Sequence, residues 1–211
     1  MYKRQKLNAA TISDNYPLPL IEDLVTSVSK SRSFSSSDLF SGFHQIPCSI
    51  GAKERLAITS ESGQFTWTKM PMGSKNCPAV FQRLMDKAFR AIPKSKLIIY
   101  LDDLLVHAEN DDQNIVILKE VFQTLRKSNL KLRASKTKLL VKEVEFCGFI
   151  LKDGNKVPNS AKVQAVRDLK IPASKTEAQS IFGLLNYHRA FIPNFAAKAS
   201  EITKTYNGQF K

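Results

Sequence analysis

The stretch Leu97-Ile98-Ile99-Tyr100-Leu101-Asp102-Asp103-Leu104-Leu105-Val106 decides the fold. Two short apolar runs, each the length of a buried strand, flank two adjacent carboxylates. The pattern predicts a hairpin over residues 97–107 with the acids at its tip. Tight hairpin turns favour Asn-Gly or Asp-Gly, which accept positive φ at little cost. Asp-Asp lacks that ease, and neighbouring like charges repel unless a cation lies near them. Hard oxygen ligands on a rigid hairpin suit Mg²⁺, which takes one or two carboxylates together with phosphate oxygens. The plainer alternative is a solvated acidic turn.

A third carboxylate, Asp38, lies upstream in Phe34-Ser-Ser-Ser-Asp38-Leu-Phe-Ser-Gly42-Phe43-His44-Gln45-Ile46. The stretch predicts short strands over 33–39 and 45–48 around a bend at Ser41-Gly42. At the end of such a strand, Asp38 suits an Asx-turn or cap. Two-metal phosphoryl transfer, by contrast, draws acidic ligands from more than one segment. Asp38 with Asp102 and Asp103 supplies that set.

Outward from these stretches, Tyr16-Pro-Leu-Pro-Leu20 is predicted to be extended, and apolar residues at 21, 24, 25 and 28 have helical spacing. Residues 55–59 and 64–70 form a predicted hairpin around Glu61-Ser-Gly63. Pro78 suits the first position of a helix whose apolar face is Phe81, Leu84, Met85, Ala88 and Phe89, ended by Pro93. Asp111 or Asp112 can cap a helix carrying Ile115, Leu118, Phe122 and Leu125, with Asn129 at its end. Strands are expected over 139–141 and 144–151, with a turn at Asp153-Gly154. Beyond Pro158 two helical patterns follow, over 161–169 and 175–191. The class is therefore α+β: a mixed body to residue 155, then a helical appendage.

The 211 residues are 43% hydrophobic, enough to bury a core, and no apolar run is long enough to span a membrane. Basic Met1-Tyr-Lys-Arg-Gln-Lys is followed by no apolar run, so no secretory signal is expected. Cys48, Cys77 and Cys147 lie far apart and read as buried thiols in a reducing compartment. Lys+Arg outnumber Asp+Glu 32 to 19, a net charge of +13. That surplus suits nucleic acid or an anionic membrane surface, or is a generic basic surface. Arg126, Lys127, Lys131, Arg133, Lys136, Lys138 and Lys142 fall in a run without one acid. Such a run contacts a phosphate backbone or forms a solvated face.

Further stretches recur in order along the chain: Leu7-Asn8 with Thr11, Asp14-Asn-Tyr-Pro-Leu-Pro19, Asp38 to Ile46, and Trp67 to Met72. Gly73-x-Lys75-Asn76-x-Pro78-Ala79, Phe81-Gln-Arg-Leu-Met-Asp86 and Tyr100-Leu-Asp-Asp103 follow. Then come Asn129-Leu-Lys-Leu132 with Lys136, Phe146-Cys-Gly148, and Gly183-Leu-Leu-Asn-Tyr187-His-Arg189 with Phe191-Ile192. Together they resemble the reverse transcriptases of gypsy-type LTR retrotransposons and their caulimovirus relatives.

The resemblance implies a right-hand polymerase: a palm of antiparallel sheet backed by helices, with partial fingers and a short helical thumb. It divides the chain into a fingers remnant (1–13), palm (14–45), fingers (46–76), palm (77–153) and thumb with the start of a connection (154–211). Asp38, Asp102 and Asp103 are then the catalytic residues and the ligands of two Mg²⁺ ions, or Mn²⁺ in their place. Phe43, Met72, Gly73, Lys75 and Lys136 fall at nucleotide-binding positions, with Phe43 crowding the sugar 2′-carbon and Lys136 in reach of pyrophosphate. Phe146, Cys147 and Gly148 fall on the primer grip, and Arg126, Lys127, Lys131, Arg133, Lys138 and Lys142 on the nucleic-acid backbone.

The implied partners are an RNA or DNA template with its primer, deoxynucleoside triphosphates and other parts of a Pol polyprotein, without a membrane. The implied setting is a cytoplasmic virus-like particle with access to the nucleus. Two departures stand out: Met72 replaces a usual aromatic, and Gln5 stands where the family has an arginine, with Lys3 or Arg4 as substitutes. With no ribonuclease H domain expected, the implied object is a polymerase core or, alternatively, a weak or inactive nucleic-acid-binding remnant.

Overall fold

Strand β1 (Ser33–Asp38) lies inside the sheet that positions the carboxylates, in a computed structural model that describes residues 4–21, 27–169 and 172–208. The other strands are β2 (Ile58–Ser60), β3 (Gly63–Phe65), β4 (Leu97–Tyr100), β5 (Asp103–Ala108), β6 (Lys138–Val141), β7 (Glu143–Phe146), β8 (Phe149–Lys152) and β9 (Asn155–Pro158). The helices are α1 (Gln5–Ala10), α2 (Ile50–Arg55), α3 (Cys77–Ala88), α4 (Asp111–Lys127), α5 (Ser160–Arg167), α6 (Lys175–Tyr187) and α7 (Phe195–Gly208). Among these described residues no helix is long and apolar enough to cross a membrane.

The main sheet has the antiparallel order β4-β5-β1-β6. Side chains alternate across a strand, so its two faces differ. Leu97, Leu104 and Val106 share a core with Phe81 and Met85 of α3 and Ile117, Leu118, Val121 and Leu125 of α4. Phe81 and Met85 are wholly buried; each such side chain contributes about 1.5–3 kcal/mol. Alternation puts Asp38 and Asp103, cross-strand partners at the end of β1 and the start of β5, on the face away from that core.

Serines make β1 narrow where α4 lies against it. Ser35 Oγ donates to Asn114 Oδ1 at 2.8 Å, and Asn114 Nδ2 donates to the Ser33 carbonyl at 2.9 Å. Both ends of the fully buried Asn114 amide are therefore satisfied. Ser35 Oγ also accepts the Leu140 N–H at 3.0 Å, where the β1–β6 register shifts and Leu140 has φ 53°.

Several expectations need correction. Residues 45–48 form no strand: Gln45 closes a 3-10 turn (Gly42–Gln45), and proline at 47 leaves one isolated bridge to Lys69. The 55–70 hairpin shrinks to β2 and β3, because residues 50–55 are helical, capped by Ser49 Oγ accepting from the Ala52 N–H. Pro78 is the second residue of α3, after Cys77. Asn110, not Asp111 or Asp112, caps α4, its side chain accepting the Gln113 N–H at 3.0 Å. Positive φ at Cys147 (46°) and Gly148 (81°) breaks 144–151 into β7 and β8. The 175–191 helix ends at Tyr187, and α7 is a third helix beyond Pro158. Of the thiols only Cys77 is fully buried. The helix expected at 21–28 falls largely on residues 22–26, outside the described residues.

The chain forms two compact units, residues 1–147 with 151–155, and residues 148–150 with 156–211. In the second unit Phe149 stacks on Tyr187 at 5.4 Å, and the Lys156 ammonium lies 4.1 Å from the Phe149 ring centroid. Phe182 of α6 meets Phe195 of α7 at 6.3 Å.

At the turn before β9, Gly154 has φ 72°, and a Cβ there would stand 2.1 Å from the Ser29 carbonyl oxygen. Gly51 within α2 has open space around it. Urea unfolding should show Gly154→Ala destabilised by on the order of 2 kcal/mol. Gly51→Ala should gain about 0.4–1 kcal/mol by the same measurement.

Candidate active site

Tyr100 pairs with Asp103, so Leu101 and Asp102 form a two-residue turn, and Leu101 carries φ 54°. A β-carbon makes that conformation cost roughly 1–2 kcal/mol. Gln82 of α3 offsets the cost. Its Oε1 accepts the Leu101 N–H at 2.9 Å, and its Nε2 donates to Asp86 Oδ1 at 3.0 Å. Asp86 Oδ2 in turn accepts the Tyr16 hydroxyl at 2.6 Å, a bond that pushes the phenol's pKa up. The hairpin tip is thus tied through a wholly buried glutamine to the extended segment near the N-terminus. Arg83 reinforces that segment, with Nη2 2.6 Å from Asp14 Oδ1 and its guanidinium over the Tyr16 ring.

The Ser41-Gly42 bend brings β1's outgoing chain against the same tip. The Leu39 N–H donates to the Asp102 carbonyl at 2.9 Å. A Cβ on Gly42 would lie 3.0 Å from Asp102 Cβ and 3.0 Å from Phe81 Cζ, so any side chain there would push both back by a few tenths of an ångström. Asp102 itself is exposed. Beside it, Phe43 holds its ring edge-on to Phe81, centroids 5.2 Å apart.

Asp38 and Asp103 line one cavity of about 430 Å³ with Lys136, Lys138, Glu145, Phe146 and Cys147. Lys136 Nζ lies 2.7 Å from Asp38 Oδ2. Burial, then the charges of Asp102 and Asp38, push Asp103's pKa from 3.8 to about 6, with Lys136 opposing. Accumulated negative charge on a rigid hairpin is the environment in which a divalent cation binds. The donor chemistry therefore fits Mg²⁺ or Mn²⁺. Among the described residues, no three acid, His or Cys side chains are gathered closely enough, as placed, to hold an ion.

Apart from Lys138, the other predicted site residues lie outside that cavity. Met72 is half exposed, its carbonyl accepting from Arg4 Nη1 at 2.7 Å, while Gly73 O accepts from Asn8 Nδ2 at 2.9 Å. The Lys75 ammonium donates to the Thr11 carbonyl at 3.0 Å. Met72, Gly73 and Lys75 thus tie the loop before α3 to α1. Arg4, one of the two expected substitutes for an arginine at 5, also lies over Trp67 at 5.4 Å. In the basic run, Arg126, Lys127, Lys131 and Lys138 are exposed, Arg133 lies over Phe40 at 5.5 Å, and Lys142 pairs with Asp111 at 2.8 Å. Gly148 belongs to the second unit.

Sequence reasoning missed Gln82 as a support and Glu145 as a cavity-lining acid. The signal for Gln82 was a polar residue among Ala79, Phe81 and Met85, on the buried face of α3. Glu145 alternates with buried Val144 and Phe146, the pattern of an outward-facing strand residue, which carries no signal of a cavity.

The family model for reverse transcriptase (RNA-dependent DNA polymerase) matches residues 1–151. The retrovirus-related Pol polyprotein from transposon 297 of Drosophila melanogaster is 35% identical over 199 residues, 94% of this chain and 19% of that protein. The corresponding polyprotein from transposon gypsy, also of Drosophila melanogaster, is 32% identical over 206 residues, 97% of this chain and 20% of that one. The chain thus spans about a fifth of the length of these relatives. Among solved structures, the foamy viral protease-reverse transcriptase in complex with RNA/DNA hybrid superposes with a TM-score of 0.85 at 26% identity, over 97% of this chain and 28% of that chain. A form of that enzyme in complex with double-stranded DNA gives 0.88 at 26% identity, over 95% and 35%.

Because Asp103's pKa is raised in the fold, folding takes up a proton between pH 4 and 6, and stability falls as pH rises through that window. Without divalent ions, Asp103→Asn should remove that slope. It should be more stable than the parent at pH 7.5 by about 1–2 kcal/mol, discounted for partial exposure. Urea unfolding at pH 4, 6 and 7.5 checks it; parallel curves for the two proteins would refute the assignment.

Proposed function

The chain belongs to the reverse transcriptase family, and from that premise we propose that it is the RNA-directed DNA polymerase core of an LTR-retrotransposon Pol polyprotein. One observation carries the reading. Asp38 and Asp103 come from distant segments and meet in one cavity with Asp102 at the adjoining tip, where burial first, and then the charges of Asp102 and Asp38, raise Asp103's pKa.

Asp38, Asp102 and Asp103 are the residues that would hold divalent ions. Bound there, Mg²⁺ or Mn²⁺ supplies charge neutralisation for the attacking and leaving oxygens. In the reaction a primer 3′-hydroxyl oxygen bonds to the nucleotide's α-phosphorus as the bond to the bridging oxygen breaks. Pyrophosphate leaves, and the hydroxyl proton passes to solvent. The protein's own part is positioning. Gln82 and Gly42 fix the hairpin tip, so the carboxylates need little rearrangement. Phe43, wedged against Phe81, resists displacement and excludes a ribose 2′-hydroxyl by contact. Phe146 and Cys147 flank the cavity where a primer end would lie. Exposed Arg126, Lys127, Lys131 and Lys138 supply charge for template and primer phosphates.

Primer extension on an RNA template with Mg²⁺ tests both parts. Asp102→Asn keeps the shape and removes a charged ligand, so extension should slow on the order of 10³-fold. Phe43→Val should still make DNA but accept ribonucleotides. Parent-like rates from the first variant would refute the site, and unchanged sugar preference in the second would remove Phe43 from it.

A further inference from the structure

We propose that Lys136 is an exchangeable counter-ion of the carboxylate site: its ammonium neutralises Asp38 in the free protein and is displaced when a divalent cation binds, so that Lys136 sets the affinity for that cation. The inference rests on the reading of Asp38 as a cation ligand.

The pair is close, 2.7 Å, yet the Lys136 side chain is 57% exposed and that of Asp38 26%. Exposed pairs between flexible partners are weak, near 0–1 kcal/mol when isolated. Here the lysine also feels Asp103, which shares the cavity, so it is drawn to a site of summed negative charge. A doubly charged ion is drawn by the same field more strongly and claims the same oxygen. Lysine and cation therefore compete.

The backbone lets this exchange happen without refolding. Lys136 ends a short 3-10 turn (Ala134–Lys136) whose main chain is held without its ammonium. The Arg133 N–H donates to the Asp38 carbonyl at 2.8 Å, the Lys136 N–H to the Arg133 carbonyl at 3.2 Å, and the Thr137 hydroxyl to that carbonyl at 3.0 Å. Only the lysine's flexible stem has to swing out, a change of rotamer. Lys138 lines the same cavity from β6, but Asp38's ion pair is with Lys136. The two lysines thus separate a specific pair from general positive charge. A ligand oxygen free only about one-tenth of the time weakens cation binding about tenfold.

The probe is Mn²⁺ alone, its binding to the full chain read by electron paramagnetic resonance of the free aqueous ion. Lys136→Met should tighten binding by about tenfold. Lys136→Arg, which keeps a charged partner, should stay within roughly twofold of the parent, and so should Lys138→Met. A second readout needs no variant: acylation of lysine amines, followed by mass spectrometry. Saturating Mg²⁺ should speed modification of Lys136 and leave Lys138 unchanged. Unchanged Mn²⁺ affinity in Lys136→Met, equal tightening in Lys138→Met, or Lys136 acylation indifferent to Mg²⁺ would overturn the proposal. Asp38→Asn serves as the control on its premise. If that variant binds Mn²⁺ like the parent, Asp38 is not a ligand and the site reading fails with it. If it loses Mn²⁺ while Lys136→Met is unchanged, the site stands and only the exchange is refuted.

Discussion

Antiparallel pairing places Asp38 directly across from Asp103, and much of the first unit is arranged around that like-charged pair. Like charges at opposed positions in a sheet are destabilising, and a third carboxylate sits one residue away. The sheet tolerates this because its stability is supplied elsewhere. Leu104 and Val106 pack with α3 and α4 side chains in the buried core on the opposite face. What remains on the cavity side is relieved in two ways: Asp103 holds its proton to about pH 6, and Lys136 sits on Asp38. The first follows from burial and then from the neighbouring carboxylates, the second from unbalanced negative charge.

Holding such a pair at a turn demands a rigid tip, and the tip's rigidity is tertiary. Leu101 is neither glycine nor asparagine, so its left-handed backbone conformation has no local support. Its side chain packs against the main core, and its N–H is claimed by Gln82. A glycine there would relax the backbone but give up the core contact. A polar relay from Leu101 through Gln82 and Asp86 to Tyr16 then makes the extended Tyr16-Pro-Leu-Pro-Leu20 stretch part of the site's foundation.

The hairpin, β1 and both long helices of the first unit were legible because their signals are local: paired apolar runs, a serine-rich strand and helical spacing stopped by Pro93 or Asn129. Asp102 and Asp103 stood out for a different reason, since adjacent acids in an apolar hairpin conflict with the local rule for turns, whereas Asp38, alone before a bend, read locally as an Asx-turn or cap. Where reading failed, a non-local or competing choice decided. Gln45 looked like a strand residue, but its side-chain amide donates to the Lys131 carbonyl at 2.9 Å and accepts the Lys131 N–H at 2.7 Å. That clamp favours a turn over an extended chain. Gly51 hid a helix that Ser49 caps, and Asn110 lay just outside the acids that looked like caps. The pairing of Lys136 with Asp38 joins positions almost a hundred residues apart, and no spacing rule reaches that far.

Motif residues shared with a family are easily taken as one functional set, but geometry divides these into two kinds. Asp38, Asp103, Lys136, Phe146 and Cys147 face a common cavity, where chemistry can act on all of them together. Asn8, Gly73, Lys75 and Asn76 instead join the N-terminal segment to the loop before α3. Asn8 accepts the Lys75 N–H and donates to the Gly73 carbonyl, while Asn76 donates to the Ile12 carbonyl and accepts the Asp14 N–H. These bonds splice the N-terminal segment onto the loop that enters α3. They hold a polar seam where a short helix of six residues could not stand alone. Since α3 carries Gln82, which steadies the hairpin tip, the seam supports the carboxylates through one intervening helix. The Lys75 ammonium, donating to the Thr11 carbonyl, belongs to that support, whereas the Lys136 ammonium pairs with Asp38 inside the carboxylate cavity.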